Sequence, residues 1–432
     1  MTRRDLVVTG GTGIAGLVVG GLIGYAVAPN ESTSQTQTGA KEPIHIGAAY
    51  PLTGPIAGDG VDARRGAEMA VAEINASGGV LGRQVILDVE DIEDLAPDKV
   101  TTAFSRLINE KNGKALFMAY ADVAMAEFPE IAKSGLPFFH VNTVKISSDW
   151  VVENKSTNIF QWDSHELPYG SGLANFLARL EAEGKWKPKE KTVAIVGTNN
   201  PYAVNIAKAF QEAAKPAGWK TILYEKVNPP LSEWGPVLAK IRQNPPDLIM
   251  QLDYYMADLA SFTKQFVAAP TQSLLYEQYG PSVPAFMDLV KDAGNGVIWS
   301  TVIGWLPDKI GNDWHARFVA KYNTEPSVSN AADQYDAIMA WRESASVVGD
   351  PEDSAKINEV IKNIRYRGVC GAYSLDPTTL TAFSFPGTGD QETMDGSLGL
   401  PNLMFQIQNQ KQVLVSPDPF TQGTFQTPPW LK

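Results

Sequence analysis

Carboxylates, amides, hydroxyls and aromatic rings follow short apolar runs at seven places along this chain of 432 residues. A tyrosine face attracts a cation, a carboxylate accepts hydrogen bonds from it, and an amide donates to a ligand oxygen. The candidate binding residues are Tyr120, Asp122, Asn142, Thr143, Trp162, Tyr202, Asp253, Tyr254 and Glu277. If the apolar runs are parallel strands, these residues meet in the crevice beyond the carboxyl ends of the strands. The pattern therefore predicts a small-molecule site assembled from several loops.

The spacing of histidine and cysteine does not indicate an enzyme. Histidines occur only at positions 45, 140, 165 and 315, and neither an H-E-x-x-H nor a G-x-S-x-G motif is present. The single cysteine, Cys370, cannot form an internal disulfide or a cysteine-rich metal site. We therefore expect a binding protein without metal or cofactor. A hydrolase that uses carboxylates in the crevice is the enzymatic alternative.

Length and composition set the scale of the fold. A chain of this length fits two lobes of roughly 150–200 residues each, and 44% hydrophobic residues can fill two cores. The net charge is −12 and the sequence pI is near 5.0, without a basic stripe. Nucleic-acid binding is therefore not expected.

The first 42 residues differ from the rest in composition. Arg3 and Arg4 precede an uncharged, glycine-rich stretch, residues 6–30, and together they resemble a twin-arginine export signal. Residues 1–28 are thus expected to be a removed signal or a retained anchor, with residues 29–42 as a flexible linker. Residues 11–16 match G-x-G-x-x-G, but no strand and acidic partner in the required places accompany them.

Apolar runs alternate with amphipathic stretches from residue 43 onward. In the first half, predicted strands at 44–49, 85–89, 115–119, 137–140 and 158–160 alternate with predicted helices at 61–75, 97–109 and 124–133. The same alternation restarts after residue 162. This order predicts an α/β fold with two doubly wound, mainly parallel sheets.

Several motifs make the chain similar to a known family. Residues 50–55 (Tyr-Pro-Leu-Thr-Gly-Pro), residues 72–83, residues 335–337 (Tyr-Asp-Ala) and residues 428–430 (Pro-Pro-Trp) resemble type I periplasmic binding proteins. The group that they resemble most is the branched-chain amino-acid-binding family of ABC importers. The resemblance implies two lobes joined by a three-segment hinge: residues 43–160 with 297–365, and residues 161–296 with 366–432.

The resemblance also implies roles for some candidate residues. Tyr202 matches a tyrosine that packs over ligands, Tyr254 lies in a matching loop after Asp253, and Glu277 matches an acceptor of a ligand amino group. The loop at residues 120–124, which offers hydroxyls to a ligand carboxylate in the family, instead carries Asp122. Asp122 would repel such a carboxylate, unless it only caps the next helix.

The function expected from these features is capture of a small polar ligand outside the cytoplasm. The ligand would be an amino acid, amide, amine or related compound, but not a plain aliphatic amino acid. Hinge closure would bury it, and the closed monomer would deliver it to an ABC permease in the membrane. The expected location is periplasmic or extracellular, with residues 6–28 as a possible tether. A sensor or receptor of the same fold is the alternative.

Overall fold

The computed structural model describes residues 41–93, 95–120 and 125–431. The expected signal or anchor at residues 1–28, most of the linker, and Asp122 lie outside the described residues. Within the described ranges, no helix is both long enough and apolar enough to cross a membrane.

The first sheet has five parallel strands in the order β2-β1-β3-β4-β5. Its strands are β1 (Ile44–Tyr50), β2 (Val85–Asp91), β3 (Leu116–Met118), β4 (Phe138–His140) and β5 (Ile159–Gln161). The helices between and after them are α1 (Ala57–Ala76), α2 (Pro97–Asn109), α3 (Phe128–Ser134) and α4 (Lys145–Glu153). Parallel neighbours need helical crossovers, so the sheet is covered and its three-residue strands β3, β4 and β5 are buried, whereas the edge strand β2 is mostly part-exposed.

The second sheet has seven strands in the order β16-β15-β10-β9-β8-β6-β7. Its parallel strands are β6 (Thr192–Thr198), β7 (Lys220–Val227), β8 (Leu248–Leu252), β9 (Leu274–Gln278) and β10 (Ile298–Thr301). The helices of this part are α5 (Leu167–Ala182), α6 (Pro201–Ala214), α7 (Gly235–Gln243), α8 (Met256–Ala268) and α9 (Ala285–Val290). This arrangement confirms the predicted α/β class with two mainly parallel sheets.

The chain then returns to the first sheet and crosses back. The returning helices are α10 (Lys309–Tyr322), α11 (Asn330–Val348) and α12 (Ser354–Lys362). The tail contributes β11 (Tyr366–Arg367), β12 (Ala372–Tyr373), β13 (Ser384–Phe385), β14 (Leu400–Pro401), β15 (Leu403–Gln408) and β16 (Lys411–Ser416). Strands β15 and β16 join the second sheet in antiparallel fashion.

Strand β10 lies in the second sheet, whereas the predicted lobe bounds placed it in the first lobe. Residues 297–365 were assigned to the first lobe, yet β10 is hydrogen-bonded between β9 and β15 in the second sheet. An apolar strand carries no signal that tells which of two sheets it joins. The crossing to the first lobe follows Thr301.

Helix α11 lies against α1 at very short range. A Cβ added at Gly66 of α1 would stand 1.8 Å from the carbonyl oxygen of Ala331, so only glycine fits there. Further along α11, Asp336 accepts hydrogen bonds from the backbone N–H groups of Val369 and Cys370, each at 2.8 Å. Its buried carboxylate therefore ties the last crossover to the first lobe.

Candidate functional site

A cavity of about 320 Å³ lies at the carboxyl ends of the strands of both sheets. Its lining residues include Tyr120, Asn142, Thr143, Asp163, Tyr169, Asn200, Tyr202, Tyr254, Tyr255, Tyr279, Thr301, Ser329, Asn330 and Asp333. They come from the segments after β3, β4, β5, β8, β9 and β10, and from the N-terminal parts of α5, α6 and α11. Both lobes thus contribute to one cavity.

Tyrosine rings form the second lobe's side of the cavity. Tyr202 meets Tyr169 and Tyr254 edge to face, with ring centroids 6.0 Å apart in both pairs, and Tyr254 stacks on Tyr255 at 4.9 Å. The side-chain amide of Gln278 donates to the Tyr202 hydroxyl. Mutual packing and this hydrogen bond fix the ring orientations, so their faces are preformed surfaces for an apolar or cationic group.

An amide joins the two lobes beside the cavity. Nδ2 of Asn330, at the start of α11, donates to Oδ1 of Asp59 at 3.0 Å and to the Tyr279 hydroxyl at 2.8 Å. The Tyr120 hydroxyl also donates to Asp59. Burial raises the pKa of Asp59 to about 6, although these hydrogen bonds favour its charged form. The two amide hydrogens thus link an acid of α1 to a tyrosine that follows β9.

Asp163, which follows β5, is a carboxylate with unused hydrogen-bonding capacity. The Thr143 hydroxyl donates to its Oδ2 at 2.5 Å. Oδ1 is buried and makes no hydrogen bond of regular geometry within the described part of the chain, although the Gln161 side chain interacts with the carboxylate. The residue is fully buried and lines the cavity. Loss of hydration raises the pKa of Asp163 to about 8.

Asp333 supplies a second carboxylate from the first turn of α11. It is 1% exposed, and its Oδ1 accepts from Nε2 of Gln334 at 3.0 Å. Burial, followed by the nearby charges of Asp163 and other acids, holds the pKa of Asp333 well above its usual range. A cation in the cavity would favour the ionised form of both carboxylates.

No lysine, arginine or histidine is among the described residues that line the cavity. Residues 94 and 121–124, which the structure leaves undescribed, are Asp, Ala, Asp, Val and Ala, and so carry no cation in their sequence. Nor do the described residues include a group of three or more His, Cys, Asp or Glu side chains placed to hold a metal. The site is therefore acidic and aromatic.

Five of the residues predicted from sequence line this cavity: Tyr120, Asn142, Thr143, Tyr202 and Tyr254. Asp122 lies outside the described residues, so both roles predicted for it, helix capping and ligand contact, stay predictions. The lining does not include Trp162, Asp253 or Glu277. Ligand contact by any of the nine residues remains to be tested.

Local geometry explains why those three residues lie elsewhere. Trp162 is fully buried and stacks on Tyr373, with ring centroids 4.4 Å apart. Asp253 accepts from the backbone N–H of Tyr255 at 3.0 Å, as in an Asx turn. Burial raises the pKa of Asp253, and the neighbouring Asp258 adds to the effect.

Strand alternation decides the position of Glu277. Leu275 and Glu277 of β9 point to the same face of the sheet, where the Thr263 hydroxyl of α8 donates to Glu277. Burial there raises the pKa of Glu277 to about 8. The next residues, Gln278 and Tyr279, reach the cavity wall instead.

Sequence reasoning missed Asp163, Tyr279, Asn330 and Asp333. Asp163 lies within the polar segment after β5 and Tyr279 directly after β9, so a wider window around each strand end would have included both. Asn330 and Asp333 begin a helix that follows a loop rather than a strand. Only the packing of α11 on α1 brings them to the cavity.

Comparison with known proteins defines the class. A sequence model of the family described as "Periplasmic binding protein" matches residues 43–382. Since this span covers most of the chain, the protein belongs to the periplasmic binding protein family.

Curated relatives point to one branch of that family. The chain is 27% identical over 242 residues to Leu/Ile/Val-binding protein homolog 8 of Brucella abortus, a match covering 55% of this chain and 57% of that protein. It is 25% identical over 230 residues to homolog 7 of Brucella melitensis, covering 52% and 56%. The matches thus span little more than half the length of these relatives.

Solved structures share the fold over nearly all of the described chain. A proposed branched-chain amino acid ABC transporter from Silicibacter pomeroyi is 34% identical, with a TM-score of 0.83 over 90% of this chain and 100% of that one. LivJ of Streptococcus pneumoniae, in complex with isoleucine, is 19% identical, with a TM-score of 0.69 over 87% and 100%. An R. palustris solute-binding protein, in complex with benzoate, is 18% identical, with a TM-score of 0.68 over 88% and 99%. The last two likenesses concern the fold alone.

Proposed function

We propose that the protein captures a small polar ligand outside the cytoplasm and delivers it to an ABC permease. The observation that carries the proposal is one cavity lined by both lobes, in a chain of the periplasmic binding protein family. Closure of two lobes around a ligand is the usual motion of this architecture. The closed, ligand-loaded protein then presents the permease with a different shape from that of the open protein.

The chemistry of the walls supports a ligand with hydrogen-bond donors. Carboxylates, amides and tyrosines dominate the lining, and its volume lies at the small end of ligand pockets. An amine, amide or modified amino acid fits this description better than a plain aliphatic amino acid. Binding without turnover is proposed, because no histidine or cysteine is among the described lining residues.

Export through the twin-arginine route is part of the proposal, on the strength of Arg3, Arg4 and the uncharged stretch after them. N-terminal sequencing of the mature protein tests it. A start near residue 29 or later indicates a removed signal, whereas retention of residues 6–28 indicates an anchor.

Native mass spectrometry of freshly purified protein tests ligand capture. We expect a mass excess of one small molecule, lost on unfolding and restored when the released fraction is added back. Uptake of the identified molecule by cells should then require both this protein and a permease. A protein that converts the molecule into a product, or that retains and rebinds nothing, contradicts the proposal.

A further inference from the structure

We propose that the ligand is a small organic cation without a carboxylate group. This inference rests on the proposed function and narrows its ligand to one chemical class. Asp163 and Asp333 would hold the positive nitrogen, and the tyrosine rings would surround it. Four independent features of the cavity lead to this class.

The first feature is the balance of charge around the ligand space. Asp163 and Asp333 both line it, and no cationic side chain occurs among the described lining residues or in residues 121–124. A ligand carboxylate would meet two acids without a compensating cation. An ammonium group would instead stabilise the ionised form of both acids, which burial disfavours in the empty site.

The second feature is the free oxygen of Asp163. A fully buried carboxylate oxygen without a partner is uncommon in folded proteins and points to a missing donor. Its other oxygen is already held by Thr143. Oδ1 therefore keeps capacity to accept a ligand N–H, while the nearby Gln161 side chain already favours the ionised form of the carboxylate.

The third feature is the state of the backbone donors near the cavity. Ligand carboxylates are commonly bound by N–H groups at helix N-termini. At α6, the Ala203 N–H is used by Oδ1 of Asn200 at 2.9 Å. At α4, the Lys145 N–H is used by Oε2 of Glu166 at 2.7 Å. At each of these two helices, a side chain of the protein thus already occupies one N–H group of the first turn.

The fourth feature is the tyrosine lining. The hydroxyls of Tyr120, Tyr202 and Tyr279 are engaged in hydrogen bonds with Asp59, Gln278 and Asn330 respectively. These hydroxyls are therefore already used within the protein, and the rings add aromatic surface to the lining. Aromatic faces beside carboxylates are a favourable environment for alkylated or primary ammonium groups.

A matched set of four compounds tests the inference by isothermal titration calorimetry on protein freed of ligand. The probes are 3-methylbutylamine (a cation), 3-methylbutanamide (neutral), 4-methylpentanoate (an anion) and leucine (a zwitterion). They have similar apolar ends and differ in charge. We expect the amine to bind at least about 10-fold more tightly than each of the others, as a charge-assisted contact requires.

Isosteric variants separate the two carboxylates from general electrostatics. Asp163→Asn and Asp333→Asn should each weaken binding of the amine by roughly 10-fold or more, since each loses a charged acceptor. Asp149→Asn removes the same charge from the exposed side of α4 and should leave the affinity within about 2-fold. The control excludes an effect of net charge alone.

Tighter binding of leucine, the carboxylate or the amide than of the amine would overturn the cation inference and leave the proposed function intact. So would failure of all four to bind at millimolar concentration while native mass spectrometry still finds a captured molecule. A protein that neither carries nor binds any small molecule contradicts the proposed function itself.

Discussion

The two sides of the cavity are built from different chemistry. The first sheet and its helices supply acids and an amide, namely Asp163 just after β5 and Asn330 and Asp333 on α11, with Asp59 directly behind. The second lobe supplies five of the tyrosines on the described lining: Tyr169, Tyr202, Tyr254, Tyr255 and Tyr279. One side thus carries charge and the other carries polarisable surface. Each lobe alone therefore lines only part of the cavity, and under the proposed function we expect ligand affinity to require both lobes.

Removing the charge from the first side should cause the largest loss of ligand affinity. The double variant Asp163→Asn/Asp333→Asn should lose roughly 100-fold in affinity for 3-methylbutylamine, because two buried charged acceptors disappear. Calorimetry measures the loss, and far-UV circular dichroism verifies the fold. An affinity within a few-fold of the parent protein would show that the acids do not contact the ligand.

The pH dependence of folding stability sharpens the comparison, because it shows how much ionisation of Asp163 destabilises the folded protein when no ligand is present. Its pKa is raised to about 8 in the folded protein, where it faces Asp333, Glu166 and Tyr169, and is near 4 when unfolded. Between these values the folded state holds a proton that the unfolded state lacks, so stability falls as pH rises.

The variant Asp163→Asn removes this pH-dependent cost. At pH 8 it should unfold at least about 2 °C above the parent protein, equivalent to at least about 1 kcal/mol, whereas near pH 4 the two should coincide. Differential scanning calorimetry of ligand-free protein at several pH values measures the difference. A constant offset at every pH would mean that Asp163 does not titrate as described.

The aromatic side is tested by changing a ring while leaving the acids in place. Tyr254→Leu should weaken binding of the amine by about 5-fold, since a cation–π contact is lost, whereas Tyr254→Phe keeps the ring face and should change it little. Calorimetry on the two variants decides the matter. Equal losses in both would assign the effect to the hydroxyl rather than to the ring.

Removing the hydrogen bond between the two sides should have the smallest effect on ligand affinity. Tyr279→Phe removes the acceptor of Asn330 and should weaken binding by up to about 5-fold, the worth of one neutral hydrogen bond. Tyr322→Phe is the matched control, because it removes a hydroxyl that donates to the Arg65 carbonyl inside the first lobe. A similar loss in both variants would argue against a role for the interlobe bond.

The sequence was sufficient to predict the fold class, because hydrophobic alternation and helix signals are local. Helix α2, which begins with Pro97, has the bounds that the pattern predicts, and strand β4 differs from its predicted bounds by one residue. Helix α4 was missed, since Val and Ser residues make its segment a weak helix former until Trp150 packs against Phe128. The allocation of β10 to a sheet also needed tertiary information.

The candidate site was predictable mainly where a polar residue closely follows a strand, and Tyr202 of α6 was predicted from the family resemblance. Tyr120, Asn142 and Thr143 meet that condition and line the cavity. Glu277 was included among the candidates, yet one step of strand alternation places it under α8. Asn330 and Asp333 depend on a helix–helix contact between distant parts of the chain, which a local pattern cannot reveal.

The short-range contact at Gly66 has a consequence for how the two sides reach a ligand. Asp59 on α1 and both Asn330 and Asp333 on α11 belong to one pair of interlocked helices, so their spacing is set before any ligand arrives. Tyr254 and Tyr255 lie on a connecting segment beyond a strand end, where ring-to-ring packing holds them. The acids and the amide of the two helices thus keep their spacing independently of the rings, and a bulkier residue at position 66 would change that spacing from a distance.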